Sequence, residues 1–391
     1  MKPRILWASP LPPVRSGVSD YAVELLTPLS KRAEIRVACP PELGQSLELP
    51  SDLDVKVVSA ETRPEAGEVS LAHLGNNPYH EWIMERCSWD RSVVVVHDLV
   101  LHHLLVEHTV GRGDLEALGS ALEMAHGGAG RILTEGRSFG LSGRLDPFLF
   151  PARRAVLAGA QAYVTHSLWG KKLLQESFPG TPVLSLKLPA VDPFPIDRED
   201  LRRSLGVEDD EVLLMHLGFL TPEKGMDLVL AGLAAARSSG LNARLILVGE
   251  QQKGTSYDRA VEKLGLAGKV QATGWLDWES MIRIPAAADL GIVLRVPSAG
   301  ETSAAVLRFF ACGTPAAVIG HRQFLEWPEK AAPRVTPGPS AAADVGRILL
   351  QVTTDTQWEQ RRSSARATFE EGHRPEQVAD ELVGFLANLD F

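Results

Sequence analysis

The sequence predicts an α/β protein made of two doubly wound parallel sheets, and three observations carry that expectation. Short apolar runs recur, each followed by a turn and then helical spacing: RILWA (4–8), VVVVH (93–97), AYVT (162–165), EVLLMHLG (211–218), ARLILVG (243–249) and LGIVL (290–294). Strands covered by helices on both faces read as continuous apolar runs rather than alternating ones. The segment KLPAVDPFPIDREDL (187–201) breaks the alternation with three prolines and a cluster of acids, after which a fresh strand begins near Val212. Finally, 391 residues exceed what one core usually organises.

Each element follows from these points. The linker at 187–201 divides the chain into a first domain, 1–190, and a second, 191–374. A new helical stretch is expected from Leu201. Beyond Pro339 the spacing in AADVGRILLQV and QVADELVGFLANL is helical to the end. In open α/β sheets the loops at the carboxyl ends of the strands gather at one edge, where helix N-termini present unpaired N–H groups. Two such sheets facing a central cleft would place their strand-end residues around a ligand.

Composition narrows the function classes. There are 40 basic against 49 acidic residues, a formal charge of -9, which argues against nucleic-acid partners because tracking phosphates needs excess positive charge. Cys39, Cys87 and Cys312 are scattered and without metal-ligand spacing, so they read as small apolar residues of a reducing compartment. The opening MKPRILWASPLPP has too short an apolar run for a signal peptide, and no stretch approaches the roughly 18 apolar residues of a spanning helix. A cytoplasmic protein is expected.

The second domain holds the more informative segments. HLGFLTPEKGMDLVL (216–230) reads as a strand, a turn with Pro222 and Gly225, and a helix; Lys224 just before that helix adds a point charge that suits a phosphate. Gly249 and Gly274 end the next two strands, in VGE and TGW, where glycine permits close backbone approach or an ordinary turn. In AGETSAAVLRFFACGTP (299–315) a helix is expected to start near Thr302 or Ser303. If it starts promptly, Glu301 and Arg308 lie two turns apart and face the same way. On spacing alone they read as a capping carboxylate and a surface arginine with no direct contact.

Taken in order over residues 212–320, TPEKG, VGE, TGW and GETSAAVLRFFACGTP resemble the retaining glycosyltransferases of family 4, which have the GT-B fold: two Rossmann-like domains with the C-terminal helix, here about 375–391, packed back on the first. Weaker matches in the first domain are the small-residue loop Arg15, Ser16, Gly17, which precedes a helix at Tyr21, VVVVHD with His97 and Asp98, and VTHSLWGKK with Ser167. The resemblance implies transfer of a sugar from a nucleotide-diphosphate sugar to an acceptor hydroxyl with no metal or other cofactor. It implies His97 and Glu301 as catalytic residues, Glu301 meeting hydroxyls of the transferred sugar. Lys224, Arg308, Gly17 and the backbone at Thr302 and Ser303 would hold the diphosphate, and Gly249, Glu250, Gly274 and Trp275 would hold the nucleotide. Diphosphate departure builds negative charge, and cations held there lower the barrier.

Two positions depart from the family pattern. Phe219 stands where the family has arginine, and Arg308 stands where a second glutamate usually grips the ribose. An arginine cannot accept hydrogen bonds from ribose hydroxyls, but its forked donors suit a diphosphate, so Arg308, with Arg295, is expected to supply the missing charge. These losses keep two other readings open: a non-catalytic GT-B protein that binds a nucleotide or partner, and a sugar-nucleotide epimerase of related fold.

Arg131, Arg137 and Arg144, with Arg153 and Arg154, interleave with Leu, Phe and Pro across 128–154. Together with Arg15 and Ser16 they are candidates for an acceptor, whether saccharide, lipid-linked or small molecule, or for peripheral contact with an anionic membrane. The same arginines also suit a solvated helix face. His102, His103 and His108 do not fall on one helical face, and no metal site is expected there.

Overall fold

A computed structural model describes residues 2–44, 46–51, 53–89, 91–251 and 256–389. Its strands form two parallel sheets, each within a unit of its own. One unit comprises Met1–Pro189, Ala299–Thr302 and Pro375–Phe391; the other comprises Ala190–Ser298 and Ser303–Arg374.

The first unit holds β1 (Arg4–Ala8), β2 (Glu34–Cys39), β3 (Lys56–Ser59), β4 (Glu68–Leu74), β5 (Ser92–Val96), β6 (Ala162–Thr165) and β7 (Val183–Ser185), in the order β3-β2-β1-β4-β5-β6-β7. The chain moves outward from β1 in one direction and then restarts on its other side at β4, so the switch point lies between β1 and β4. The central strands β4 and β5 are buried at every position, which is why VVVV reads as an unbroken apolar run. The helix after β1 spans Gly17–Ser30 and so starts four residues before Tyr21, where the sequence suggested it. Ser16 is its N-cap and accepts the Ser19 N–H at 3.1 Å. That helix packs on Pro375–Ala387, with Arg32 paired to Asp380 at 2.5 Å.

The second unit holds β8 (Val212–Leu217), β9 (Ala243–Val248), β10 (Val270–Gly274), β11 (Leu290–Val293), β12 (Ala316–Ile319) and β13 (Arg334–Val335), in the order β10-β9-β8-β11-β12-β13. The same outward-then-restart path puts its switch point between β8 and β11. Its first helix, Arg198–Ser204, begins three residues before Leu201 because Asp197 caps it by accepting the Asp200 N–H at 3.0 Å. Arg202 of that helix is buried and donates to the carbonyls of Ala287 and Glu211 and to Asp289, whose carboxylate also accepts the Leu213 N–H. This network ties the helix to the beginnings of β8 and β11. Helices Ala341–Thr354 and Trp358–Glu370 complete the unit.

The helix after β11 corrects one expectation. It spans Ala304–Ala311, with Ser303 as an N-cap that makes no side-chain bond, so Glu301 lies outside it and the two-turn relation to Arg308 does not hold. The cause is the path of the preceding four residues. Gly300 sits at φ +85, and the Ala299 carbonyl accepts the N–H groups of Leu99 and Val100 at 2.8 and 3.0 Å, which draws this segment into the first unit.

Candidate active site

In the first unit the carboxyl ends of three strands bring imidazoles together. His73 lies one residue before the end of β4, and His97 and His166 directly follow β5 and β6. Tyr21, on the helix after β1, packs its ring against all three, with centroids at 5.6, 4.8 and 5.2 Å. Trp7 of β1 covers His73 at 4.0 Å. Parallel register makes this cluster: neighbouring strands end level, so residues at their ends share one edge.

The hydrogen bonds within the cluster fix its protons. His73 Nδ1 and His97 Nε2 are 3.1 Å apart, so one donates and the other accepts. His73 is fully buried, and its Nε2 has no partner among the described residues. An orphaned buried N–H is rarer and costlier than an orphaned lone pair. The proton of His73 therefore sits on Nδ1 and is donated to His97, whose own proton is left on Nδ1. His97 is partly exposed and so presents an N–H donor to whatever binds there. Burial first, then the nearness of His166, holds both rings well below the ordinary imidazole value. Both are neutral at pH 7. His80 supports the strand end by donating from Nδ1 to the His73 carbonyl at 2.9 Å.

Asp98 and the loop after β4 complete this edge. Asp98 accepts the Asn76 N–H at 2.7 Å, while the Asn76 side-chain oxygen accepts the N–H groups of His103 and Leu104, capping helix His102–Thr109 from outside it. Ser167 caps the next helix, and the Thr302 hydroxyl donates to the His166 carbonyl at 2.9 Å. Glu301 and Thr302 thus belong to the same unit as His97, and Glu301 is buried. Arg15 and Gly17 are exposed, and a Cβ on Gly17 would meet nothing within 4 Å. No protein contact requires glycine there.

The second unit carries the cationic residues. His216, near the end of β8, donates from Nδ1 to the Ile292 carbonyl of β11 at 3.2 Å, across the switch point. Burial, and then the positive charge of Lys224, press its pKa down to about 3, with Arg295 adding to the effect. Lys224 and Arg295 therefore flank the switch point on either side, one after β8 and one after β11. Lys224 is buried and closes the short turn Pro222–Lys224 before helix Met226–Ser238, whose N-cap is Gly225. Arg308 and Ser303 are buried in the same unit.

Phe219 lies against Trp275, ring centroids 5.9 Å apart, so the ends of β8 and β10 share an aromatic pair. Gly249 has a packing role: at φ +133 its added Cβ would lie 2.4 Å from the Gly218 carbonyl oxygen. Its backbone also bridges Gly274, and Glu250 accepts the Leu220 N–H through its carbonyl. Arg131, Arg137 and Arg144 belong to the crossover between β5 and β6, where Arg131 is paired with Glu116 at 2.8 Å. Sequence reasoning did not single out His73, His166, Tyr21 or His216. The one available signal was a histidine placed inside an otherwise apolar strand, as in EVSLAHL and VLLMHL.

The architecture defines a GT-B protein. A solved structure from Anabaena, Alr3699/HepE in complex with UDP and glucose, superposes with a TM-score of 0.67 at 16% identity, over 99% of this chain and 100% of that one. Residues 197–354 match the family model of glycosyl transferases group 1. Among curated relatives, a D-inositol 3-phosphate glycosyltransferase of Segniliparus rotundus is 32% identical over 32% of this chain and 29% of its own length. A GDP-mannose-dependent alpha-(1-6)-phosphatidylinositol dimannoside mannosyltransferase of Mycobacterium tuberculosis is 34% identical over 28% of this chain and 27% of its own length. The matched stretch spans about 30% of the curated relatives' length.

Proposed function

We propose that the protein is a retaining, metal-independent glycosyltransferase that moves a sugar from a nucleotide-diphosphate sugar to an acceptor hydroxyl. The observation that carries this reading is the buried Lys224 with Arg295 at the β8/β11 switch point, inside the stretch that matches the group 1 family model. Two cations gathered beside a helix N-terminus suit a diphosphate. In this reading the second unit takes the nucleotide and diphosphate, with Arg308 as a further cation, and the first takes the acceptor. UDP in the Anabaena structure and GDP-mannose in the mycobacterial relative both support a nucleotide-sugar donor.

The chemistry follows from charge development. As the anomeric carbon loses its diphosphate, negative charge grows on the leaving oxygens, and fixed cations stabilise that state more than the ground state. The neutral His97, donating from Nδ1, would hold a sugar hydroxyl rather than remove a proton. Glu301 would accept from sugar hydroxyls.

Phe219 in place of the usual arginine favours one second reading, a protein that binds a nucleotide without turning it over. A panel of UDP-, GDP- and ADP-sugars, assayed for nucleotide release with and without saccharide acceptors and with EDTA, separates the readings. Release that persists in EDTA, with the anomeric configuration kept in the product, supports the proposal. Binding without release supports the second reading, and an altered sugar without acceptor would mean an epimerase.

A further inference from the structure

The first unit contains a cavity of about 320 Å³ built from the segments that follow three of its strands. Pro10 and Val14 come from the loop after β1, Pro40 and Leu43 from the segment after β2, and Tyr79 and Trp82 from the one after β4. These are carboxyl ends on both sides of the β1/β4 switch point, where open α/β sheets take their ligands. Its volume lies at the lower end of small-molecule sites, roughly 300–1,000 Å³, so it suits one ring rather than a long chain. Two of its walls reach the imidazole cluster within a few residues. Pro10 follows Ser9, whose hydroxyl accepts the Trp7 indole N–H at 2.7 Å, and Trp7 is the ring that covers His73. The helical segment Pro78–Ser88 sends His80 to the His73 carbonyl and Tyr79 and Trp82 to the cavity. His80 is fully buried and its neighbour Tyr79 is 51% exposed, so adjacent residues divide the two tasks. A molecule seated here lies on the strand edge that carries His97.

The lining decides what that molecule can be. Proline, valine and leucine side chains offer no hydrogen-bond partner, so a saccharide ring would leave hydroxyls unpaired against them, whereas an apolar ring gains contact with Tyr79 and Trp82. Arg112 is the one cation among the described lining residues, and its Nε and a terminal nitrogen are both directed at Glu81 Oε1, at 2.8 and 2.7 Å. A phosphate would have to compete with that pair. The carboxylates are less engaged. Glu42 lines the cavity without a hydrogen bond or ion pair among the described residues, and Glu81 Oε2 likewise has no partner among them. Two carboxylates against one guanidinium give the lining a net negative charge. An ammonium group fits that charge, and beside Tyr79 or Trp82 it also gains from the ring face.

We propose that this cavity seats the acceptor, and that the acceptor is a small molecule with an apolar ring and an amine and without a phosphate. The inference rests on the reading that the first unit takes the acceptor, and adds its chemical class.

Calorimetric titration of the full chain with three ligands that share a phenol ring tests it: tyramine, tyrosol and 4-hydroxyphenylacetate, which carry an amine, a hydroxyl and a carboxylate. Tyramine is expected to bind with a dissociation constant below about 1 mM, about tenfold tighter than tyrosol, and 4-hydroxyphenylacetate should bind weakest. Tyr79→Ala should weaken tyramine and tyrosol alike by about tenfold, and Glu42→Gln should bring tyramine down to tyrosol while leaving tyrosol unchanged. Both side chains are exposed, so melting temperatures should hold. No binding by the series, an order that puts the carboxylate first, a methyl glucoside that binds as tightly as tyramine, or either variant binding like the parent would overturn the inference. The titration contains no donor and is read apart from sugar transfer. If the series binds in the expected order and no nucleotide-sugar is turned over with any acceptor, the glycosyltransferase reading falls and the ligand class stands. If sugar passes to a phosphorylated acceptor at a rate that Tyr79→Ala leaves unchanged, this inference falls and that reading stands.

Discussion

Nδ1 of His73 donates to Nε2 of His97 across 3.1 Å, so a fully buried imidazole decides which nitrogen of a partly exposed one carries its proton. His97 then meets a ligand as a donor. Nitrogen-15 NMR of the histidine rings at pH 7 should show His97 in its Nδ1–H form. In His73→Phe, which offers no donor, the two tautomers should mix. An Nε2–H spectrum for His97 in the parent protein would contradict the assignment.

The buried imidazoles also predict acid sensitivity. Burial holds His73 and His97 well below 6.5, His80 and His102 at about 4 and His216 at about 3. Below pH 6.5 the unfolded chain takes up protons that the folded one refuses, so stability falls as pH falls, by up to about 1.4 kcal/mol per unit for each such histidine. Melting temperature should drop steeply from pH 6.5 to 4.5, and His216→Gln should flatten the curve. A constant melting temperature over that range would refute the neutral cluster.

Removing a cation at the strand edge should weaken diphosphate binding. Lys224→Ala is expected to raise the dissociation constant of a nucleoside diphosphate about 10- to 100-fold, the range for hydrogen bonds to charged groups. Arg308→Ala should cost a similar factor if its guanidinium reaches the ligand. Calorimetric titration reads both, and an unchanged affinity for Arg308→Ala would make that arginine structural.

Glycine substitutions separate packing from ligand roles. Gly249→Ala forces a side chain to 2.4 Å from the Gly218 carbonyl at φ +133 and should destabilise by more than about 2 kcal/mol. Gly17→Ala meets only open space at the start of its helix, so the melting temperature should hold or rise. A fall in nucleotide-sugar affinity with an intact fold would assign Gly17 to the ligand; unchanged affinity would remove it.

The sheets were legible in the sequence where burial is uniform. RILWA and AYVT match β1 and β6 residue for residue, because parallel strands under helices have no polar face to blur the pattern. EIRVAC and EVSLAHL were harder to read, since β2 and β4 carry Arg36 and Glu68, an ion pair that reaches across β1, and His73 within the apolar run. Local spacing also misjudged Glu301: its position depends on the Ala299 carbonyl meeting Leu99 and Val100, two hundred residues away in the chain. For the same reason the His73–His97 bond has no local signature, since strand neighbours are chosen by topology.

The tetrapeptide Ala299–Thr302 belongs to one unit while both its flanks belong to the other, and the tail from Pro375 returns to the first. The polypeptide therefore changes allegiance four times. Cutting it at the proline-rich linker near residue 190 should not yield two self-sufficient halves. The leading fragment would lose the helix that covers Gly17–Ser30 and the strand-end residues that cap Leu99, leaving apolar surface bare. Expressed alone it should precipitate, whereas a protease nick at that linker should leave the two fragments associated until a denaturant is added.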